Sequence, residues 1–197
     1  MSLDRKRYLE LVEARINNPV SLQKALKKRA RRTIAGKDGK LMLLAADHTA
    51  RGIIAAGNNP TAIADRYILL DKLIRGLAVS GVDGVMASAD ILEELSWLGA
   101  LEEKVAIGTM NRGGIIGASW ELDDRLTAYD AEHIRSMGLD GGKTLLRIDE
   151  SDPGVARTIE MVAQVTTQLA DLELVSMIEP LPYMKSADGR AILDPSE

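Results

Sequence analysis

Cysteine is absent from the 197 residues, so neither a disulfide nor a thiolate nucleophile is available to this chain. Phenylalanine is absent as well, and aromatic residues make up 3% of the sequence. The core must therefore be aliphatic and rich in methionine, and a surface that stacks single-stranded bases is disfavoured. Two histidines leave little material for an imidazole-rich metal centre. No apolar run approaches the ~18 to 20 residues of a membrane span. The polar opening Met1-Ser2-Leu3-Asp4-Arg5-Lys6 is unlike a secretory signal, so a cytoplasmic protein is expected. A net charge of -4 gives nucleic acid or an anionic membrane little to hold.

What is there is an alternation of helical and strand patterns in a chain that is 46% hydrophobic and 27% charged, the make-up of an ordinary globular fold. Leu3, Tyr8, Leu11, Val12 and Ile16 fall at helical spacing, and Asn17-Asn18-Pro19 ends that helix. A second helix is expected over 20 to 32. Its Lys24, Lys27, Lys28, Arg29, Arg31 and Arg32 form a charge run that reads as a solvated face, because Leu22, Ala25, Leu26 and Ala30 make a docking stripe.

Leu41 to Ala46 is apolar on both faces, as a covered parallel strand is, and it ends in Asp47-His48-Thr49-Ala50-Arg51-Gly52. Ionisable groups at the C-terminal end of such a strand are where α/β folds build their sites. Asn59-Pro60 predicts the start of a helix running to about Ser80. That helix meets a strand through Gly81-Val82-Asp83-Gly84, and the same joint recurs at Gly138-Leu139-Asp140-Gly141. A repeated joint implies repeated βα units.

Further helices are expected over 89 to 98, 120 to 137 and, from Asp152-Pro153, to about Ala170; strands are expected over 104 to 109, from Gly141 to Asp149, and over 172 to 178. On the strand that includes Gly141 to Asp149, side chains alternate, so Lys143, Leu145, Arg147 and Asp149 share one face. Glu179 closes the last strand, and Pro180 after it argues against further ladder pairing. Between these units, Arg112-Gly113-Gly114 offers a weak anion-binding pattern, and nothing matches a Walker loop or a dinucleotide fingerprint. Asp194-Pro195-Ser196-Glu197 spells a helix start, which suggests the front part of a longer polypeptide.

These patterns predict an α/β fold, a parallel (β/α)8 TIM barrel that is incomplete here. About five βα units occupy 37–197, behind an N-terminal helical extension over 1–36. A complete barrel needs about 250 residues. The open strand edges of such a partial barrel must pair, so a homo-oligomer is expected.

Three motifs, spread from about Leu41 to Tyr183, resemble the class I aldolases of the deoxyribose-phosphate, tagatose-bisphosphate and archaeal-type fructose-bisphosphate aldolase superfamily. They are Ala45-Ala46-Asp47-His48, Gly141-Gly142-Lys143-Thr144-Leu145-Leu146 and Ile178-Glu179-Pro180-Leu181-Pro182-Tyr183. The resemblance implies a carbon-carbon lyase acting on a sugar phosphate or related keto or aldehyde sugar, with no cofactor or metal. It makes Asp47, Lys143 and Glu179 catalytic, around a Schiff-base lysine on a sixth strand that would lie beyond Glu197. His48, Arg112, Arg147 and Lys185 are candidates for holding substrate. In such chemistry a lysine amine forms an iminium that acts as an electron sink, a neighbouring cation keeps that amine neutral, and carboxylates move protons.

Three alternatives stand beside this. Resemblance to transaldolases would make Lys143 itself the imine-forming residue, or Lys143 could be an internal ion-pair partner in a non-catalytic fragment. A divalent-metal lyase would use Asp47, His48 and Glu179.

Overall fold

The two Gly-x-Asp-Gly joints organise the base of the sheet. In the structure, a computed structural model that describes residues 2–111, 122–185 and 191–193, each joint feeds a parallel strand. Strand β2 (Gly84–Ala87) follows the first joint and β4 (Gly141–Ile148) the second; β1 (Leu43–Ala46) and β3 (Val105–Thr109) lie beside them. Asp83 accepts the Met42 N–H through Oδ2 at 2.7 Å, and Asp140 accepts the Ala106 N–H through Oδ2 at 2.8 Å. Both aspartates therefore finish the backbone hydrogen bonding of the preceding strand, which would otherwise be left open at its start.

Glycine is required after both. A Cβ at Gly84 would sit 2.0 Å from the Val105 carbonyl oxygen, and one at Gly141 would sit 2.3 Å from that of Val175.

The basic segment of the N-terminal region anchors the same joints. Helices α1 (Arg5–Asn17) and α2 (Val20–Lys28) come first, and α2 stops four residues earlier than expected, at Arg29. There the backbone turns extended and the guanidinium of Arg29 enters the base of the sheet. Arg29 donates to the carbonyls of Lys104 and Gly138 at 2.8 and 3.0 Å and to Asp140 Oδ2 at 2.6 Å. Arg31 reaches Asp140 Oδ1 at 2.9 Å, and Arg32 reaches Asp83 Oδ1 at 2.6 Å. Half of the basic run is thus tied to aspartates of the sheet.

Five parallel strands stand in sequence order, β1 to β4 followed by β5 (Val175–Lys185), and curve into a half-barrel. Its outer face carries helices α3 (Arg66–Leu77), α4 (Ala89–Trp97), α5 (Ala131–Ser136) and α6 (Gly154–Asp171). Between helices and sheet lies the main core, with Leu70, Leu77, Val85, Ile91, Leu95, Ala106, Ile134 and Leu169. Leu11, Leu22 and Leu26 belong to it, so α1 and α2 share this core. The concave face has its own small cluster of Met86, Val105 and Ile107, with Ile34, Leu43, Val175 and Met177 against it.

Several boundaries differ from expectation. Asn59 does not start a helix: its Oδ1 accepts the Thr61 N–H within a loop, and the cap of α3 is Asp65, whose Oδ1 accepts the Ile68 N–H. The stretch expected as a helix over 120 to 137 is helical from Ala131 to Ser136 among the described residues, because Asp130 caps it there through the His133 N–H.

Strand β5 runs straight through Pro180 and Pro182, opposite Leu146 and Ile148. Val175 donates toward β4, to the Asp140 carbonyl. Alternation then turns residues 180 and 182 away from β4, so their missing N–H groups cost that ladder nothing. Beyond them β6 (Ala191–Leu193) adds an antiparallel edge to Tyr183, Met184 and Lys185. The helix start at 194–197 lies outside the described residues.

Candidate active site

Asp47 is the first residue past β1, where the chain turns into a short 3-10 segment, His48–Arg51, closed by Gly52 at φ 80°. Lys143 is the third residue of β4, in register with Thr109 of β3 and Met177 of β5. Its side chain is turned to the concave face and is 1% exposed. A lone ammonium in such a place would be prohibitively costly, so it must be paired.

Two carboxylates provide the pairing. Lys143 Nζ donates to Asp47 Oδ2 at 2.9 Å across the sheet from β4 to β1. From the other side Glu179 of β5 brings Oε2 to 2.6 Å, an ion pair rather than an aligned hydrogen bond. Asp47 is as buried as Lys143, whereas Glu179 is 44% exposed and forms the side open to solvent.

Further groups complete the surroundings of Asp47. Thr109, the last residue of β3, points its Oγ1 at Asp47 Oδ2 from 3.4 Å. Arg51 Nη2 lies 3.9 Å and His48 Nδ1 3.8 Å from Oδ1. Burial alone would raise the Asp47 carboxyl, but the facing and hydrogen-bonding Lys143 ammonium, with Arg51 and His48 behind it, holds it below the usual carboxylate value. Oδ1 has no hydrogen-bond partner among the described residues, so an ionised buried oxygen is left to accept a proton.

Beside this trio is a hollow of about 410 Å³ on the concave face. Leu43, Ala45, Met86 and Met177 line it with apolar surface, and Lys143 and Glu179 supply its charge. An apolar wall with a few convergent polar groups is the usual build of a small-molecule site.

Asp47, Lys143 and Glu179 are therefore brought together as expected, although Glu179 lies within β5 rather than at its end. The other candidates fall elsewhere. The His48 ring stands at the rim with its side chain 41% exposed. Arg147 is buried four residues further along β4, its guanidinium 5.4 Å from the centre of the Tyr183 ring. Arg112 with Gly113 and Gly114, and the side chain of Lys185, lie outside the described residues.

For the metal alternative, no three His, Asp or Glu side chains converge at ligating distance among the described residues. Thr109 and Arg51 went unassigned by sequence reasoning. Thr109 could have been found, since it ends a strand at the register of Lys143.

The chain matches a family model described as Cgl0159-like over residues 39–197. It is also similar to the crystal structure of Cgl0159 from Corynebacterium glutamicum (Brevibacterium flavum), with 40% sequence identity and a TM-score of 0.93. That likeness covers 98% of this chain and 65% of the other, so the chain spans less than two thirds of the solved protein's length. No curated protein matches. No helix among the described residues is long and apolar enough to cross a membrane.

Proposed function

The chain belongs to the Cgl0159-like family, and from the centre that its first, fourth and fifth strands build we propose that it is a carbon-carbon lyase of the class I aldolase type. Its substrate is a sugar phosphate or a related keto or aldehyde sugar. The observation that carries this reading is the buried ammonium of Lys143 set between Asp47 at 2.9 Å and Glu179 at 2.6 Å, level with the C-terminal ends of β1 and β3. The half-barrel supplies the first five units of a (β/α)8 barrel; the greater length of Cgl0159 is in keeping with this. A cytoplasmic homo-oligomer belongs to the same reading; the place of β1 at the edge of the sheet among the described residues supports pairing with a second copy.

In this chemistry a neutral lysine amine adds to the substrate carbonyl and water leaves, which gives an iminium. A carboxylate takes the proton of the substrate hydroxyl, and the carbon-carbon bond electrons move into the iminium as an enamine. Protonation and hydrolysis then release the second product and restore the amine. Asp47 and Glu179 suit the proton transfers. Ion pairs on two sides of Lys143 suit a cation that orients both carboxylates, whereas a nucleophile must give up its proton. We therefore assign the imine to a different lysine of the complete family fold.

Borohydride trapping tests this. Cgl0159 and this chain are each incubated with dihydroxyacetone phosphate, reduced, and read by intact and peptide mass. A reduced adduct on a lysine of Cgl0159 away from the position equivalent to Lys143 is the expected result. An adduct at that position would reassign the nucleophile, and no adduct on Cgl0159 with any ketose phosphate would remove the imine mechanism.

A further inference from the structure

A second cleft, of about 570 Å³, opens beside the Lys143 centre. Its walls are Ala50 of the 3-10 segment, the first turns of α4, and the stretch from Thr127 to His133. Thr109 is part of its lining and also touches Asp47, so cleft and centre share a wall. The proposed carbonyl chemistry does not use this space.

The chemistry of the walls is specific. Tyr129 lines the cleft while 3% exposed, and its hydroxyl has no hydrogen-bond partner among the described residues. A buried phenol without a partner is uncommon, and in a cleft it marks where a ligand atom is expected. Burial first, then Glu93 and Asp90, push its ionisation up, so it is a donor.

Two of the carboxylates in the walls, Asp90 and Glu93, are partly compensated. Arg66 and the Ser88 hydroxyl hold Asp90, and Arg15 holds Glu93. Both arginines are shared with Glu94, so most but not all of this charge is offset, and Asp90 and Glu93 keep lone pairs for hydroxyl donors. Among the described residues no lysine or arginine lines the cleft; beside the His133 ring its walls hold the carboxylates of Asp90, Glu93 and Asp130, so a phosphate or carboxylate would find no fixed counter-charge there.

We propose that this cleft is a binding site for an uncharged, hydroxyl-rich chain, a polyol or the unphosphorylated end of a sugar, with the Tyr129 hydroxyl donating and Asp90 and Glu93 accepting from ligand hydroxyls. It deepens the lyase reading, on which it rests for the claim that the bound chain continues toward the reacting carbonyl. The substrate then has an extended polyhydroxylated end on the side of β2 and β3, and its phosphate, where it has one, binds elsewhere.

Sorbitol, sorbitol 6-phosphate and ethanolamine, each titrated into the protein and followed by ligand-observed NMR, test this without turnover. Sorbitol is expected to bind, with the phosphate ester and the amine weaker. Tyr129→Phe is expected to weaken sorbitol about tenfold, the loss of one buried hydrogen bond. Ala128→Leu, an exposed position at the mouth of the cleft, is expected to weaken it by obstruction. Absence of sorbitol binding, binding unchanged in both variants, or a preference for ethanolamine or the phosphate ester would overturn the proposal. Trapping of Cgl0159 with dihydroxyacetone, too short to reach the cleft, reads the imine separately: its failure beside normal sorbitol binding would remove the mechanism and leave the cleft.

Discussion

The ammonium of Lys143 and the carboxylate of Asp47, 96 positions apart in the sequence, meet at 2.9 Å where both side chains are 1% exposed. A buried pair of this kind adds little over an apolar replacement, yet removing one member strands the other. Lys143→Met is therefore expected to destabilise the fold by about 3 to 5 kcal/mol, and adding Asp47→Leu to recover much of that. Urea unfolding of the single and double variants measures it; a cost near zero for the single substitution would mean that Asp47 is paired adequately without Lys143.

Glu179 is half-exposed, so its contribution to stability is screened. Glu179→Gln keeps the shape and is expected to shift stability by less than about 1 kcal/mol. If Glu179 moves a proton in the reaction, kcat falls by about 10² to 10⁴ when the same substitution is made in a complete barrel that carries the imine-forming lysine. Melting and turnover measured on one preparation separate the two effects.

Acid should act through Asp47. Its carboxyl is held below the ordinary 3.8, chiefly because Lys143 outweighs the cost of burial. The folded chain then binds fewer protons than the unfolded one, so the stabilisation is complete well above pH 3.8 and is lost as pH falls through the lower folded value. Asp123, lowered to about 2 by hydrogen bonds from Arg157 and Arg125, adds loss over the window from 3.8 to about 2. Stability curves of Asp47→Asn should be flatter than wild type below pH 4, and identical slopes would contradict the assignment.

At the base of the sheet, Asp140 serves Arg29, Arg31 and the Ala106 N–H together. Asp140→Ala strands a fully buried guanidinium and a strand N–H, with an expected cost of about 3 to 5 kcal/mol. Because Asp140 lines neither the cleft nor the hollow beside Lys143, whatever protein remains folded should keep its sorbitol affinity. Thermal melts and NMR titration check the two halves of this statement.

Gly141→Ala puts a methyl group 2.3 Å from the Val175 carbonyl oxygen, an atom of the backbone that cannot swing aside. About 1 to 3 kcal/mol or more is expected from such overpacking. Gly39→Ala has free space around it and loses stability through its positive φ alone, by about 1 kcal/mol. Denaturation midpoints of the two variants should rank in that order.

The strand signals and the site were legible because each rests on local alternation. An apolar run that ends in an acid places Asp47 just past a strand tip, and parity alone puts Lys143 on the inner face, whereas Glu179, expected to close its strand, is the fifth residue of a longer one. Contacts between distant segments were not legible. Arg29 and Arg32 read as a solvated charge run, since nothing local shows that a chain turn will carry them to Asp140 and Asp83. Asn59-Pro60 carries the local chemistry of a helix start and of an Asx turn alike, and the loop won because Ile63 N–H bonds back to the Ile54 carbonyl. Leu122 is buried by a loop rather than by a helix, and burial is all that its hydrophobicity encodes.

The prolines of β5 reach beyond their own ladder. A neighbour laid along the flank away from β4 meets donors at Ser176 and Ile178 and then a gap at Pro180 and Pro182. A parallel strand can dock on the early part of that flank, but a misdirected segment of another molecule cannot zip along its whole length. The strand thus carries its own gatekeepers against fibril-like growth, placed one residue after the glutamate on which the proposed reaction depends.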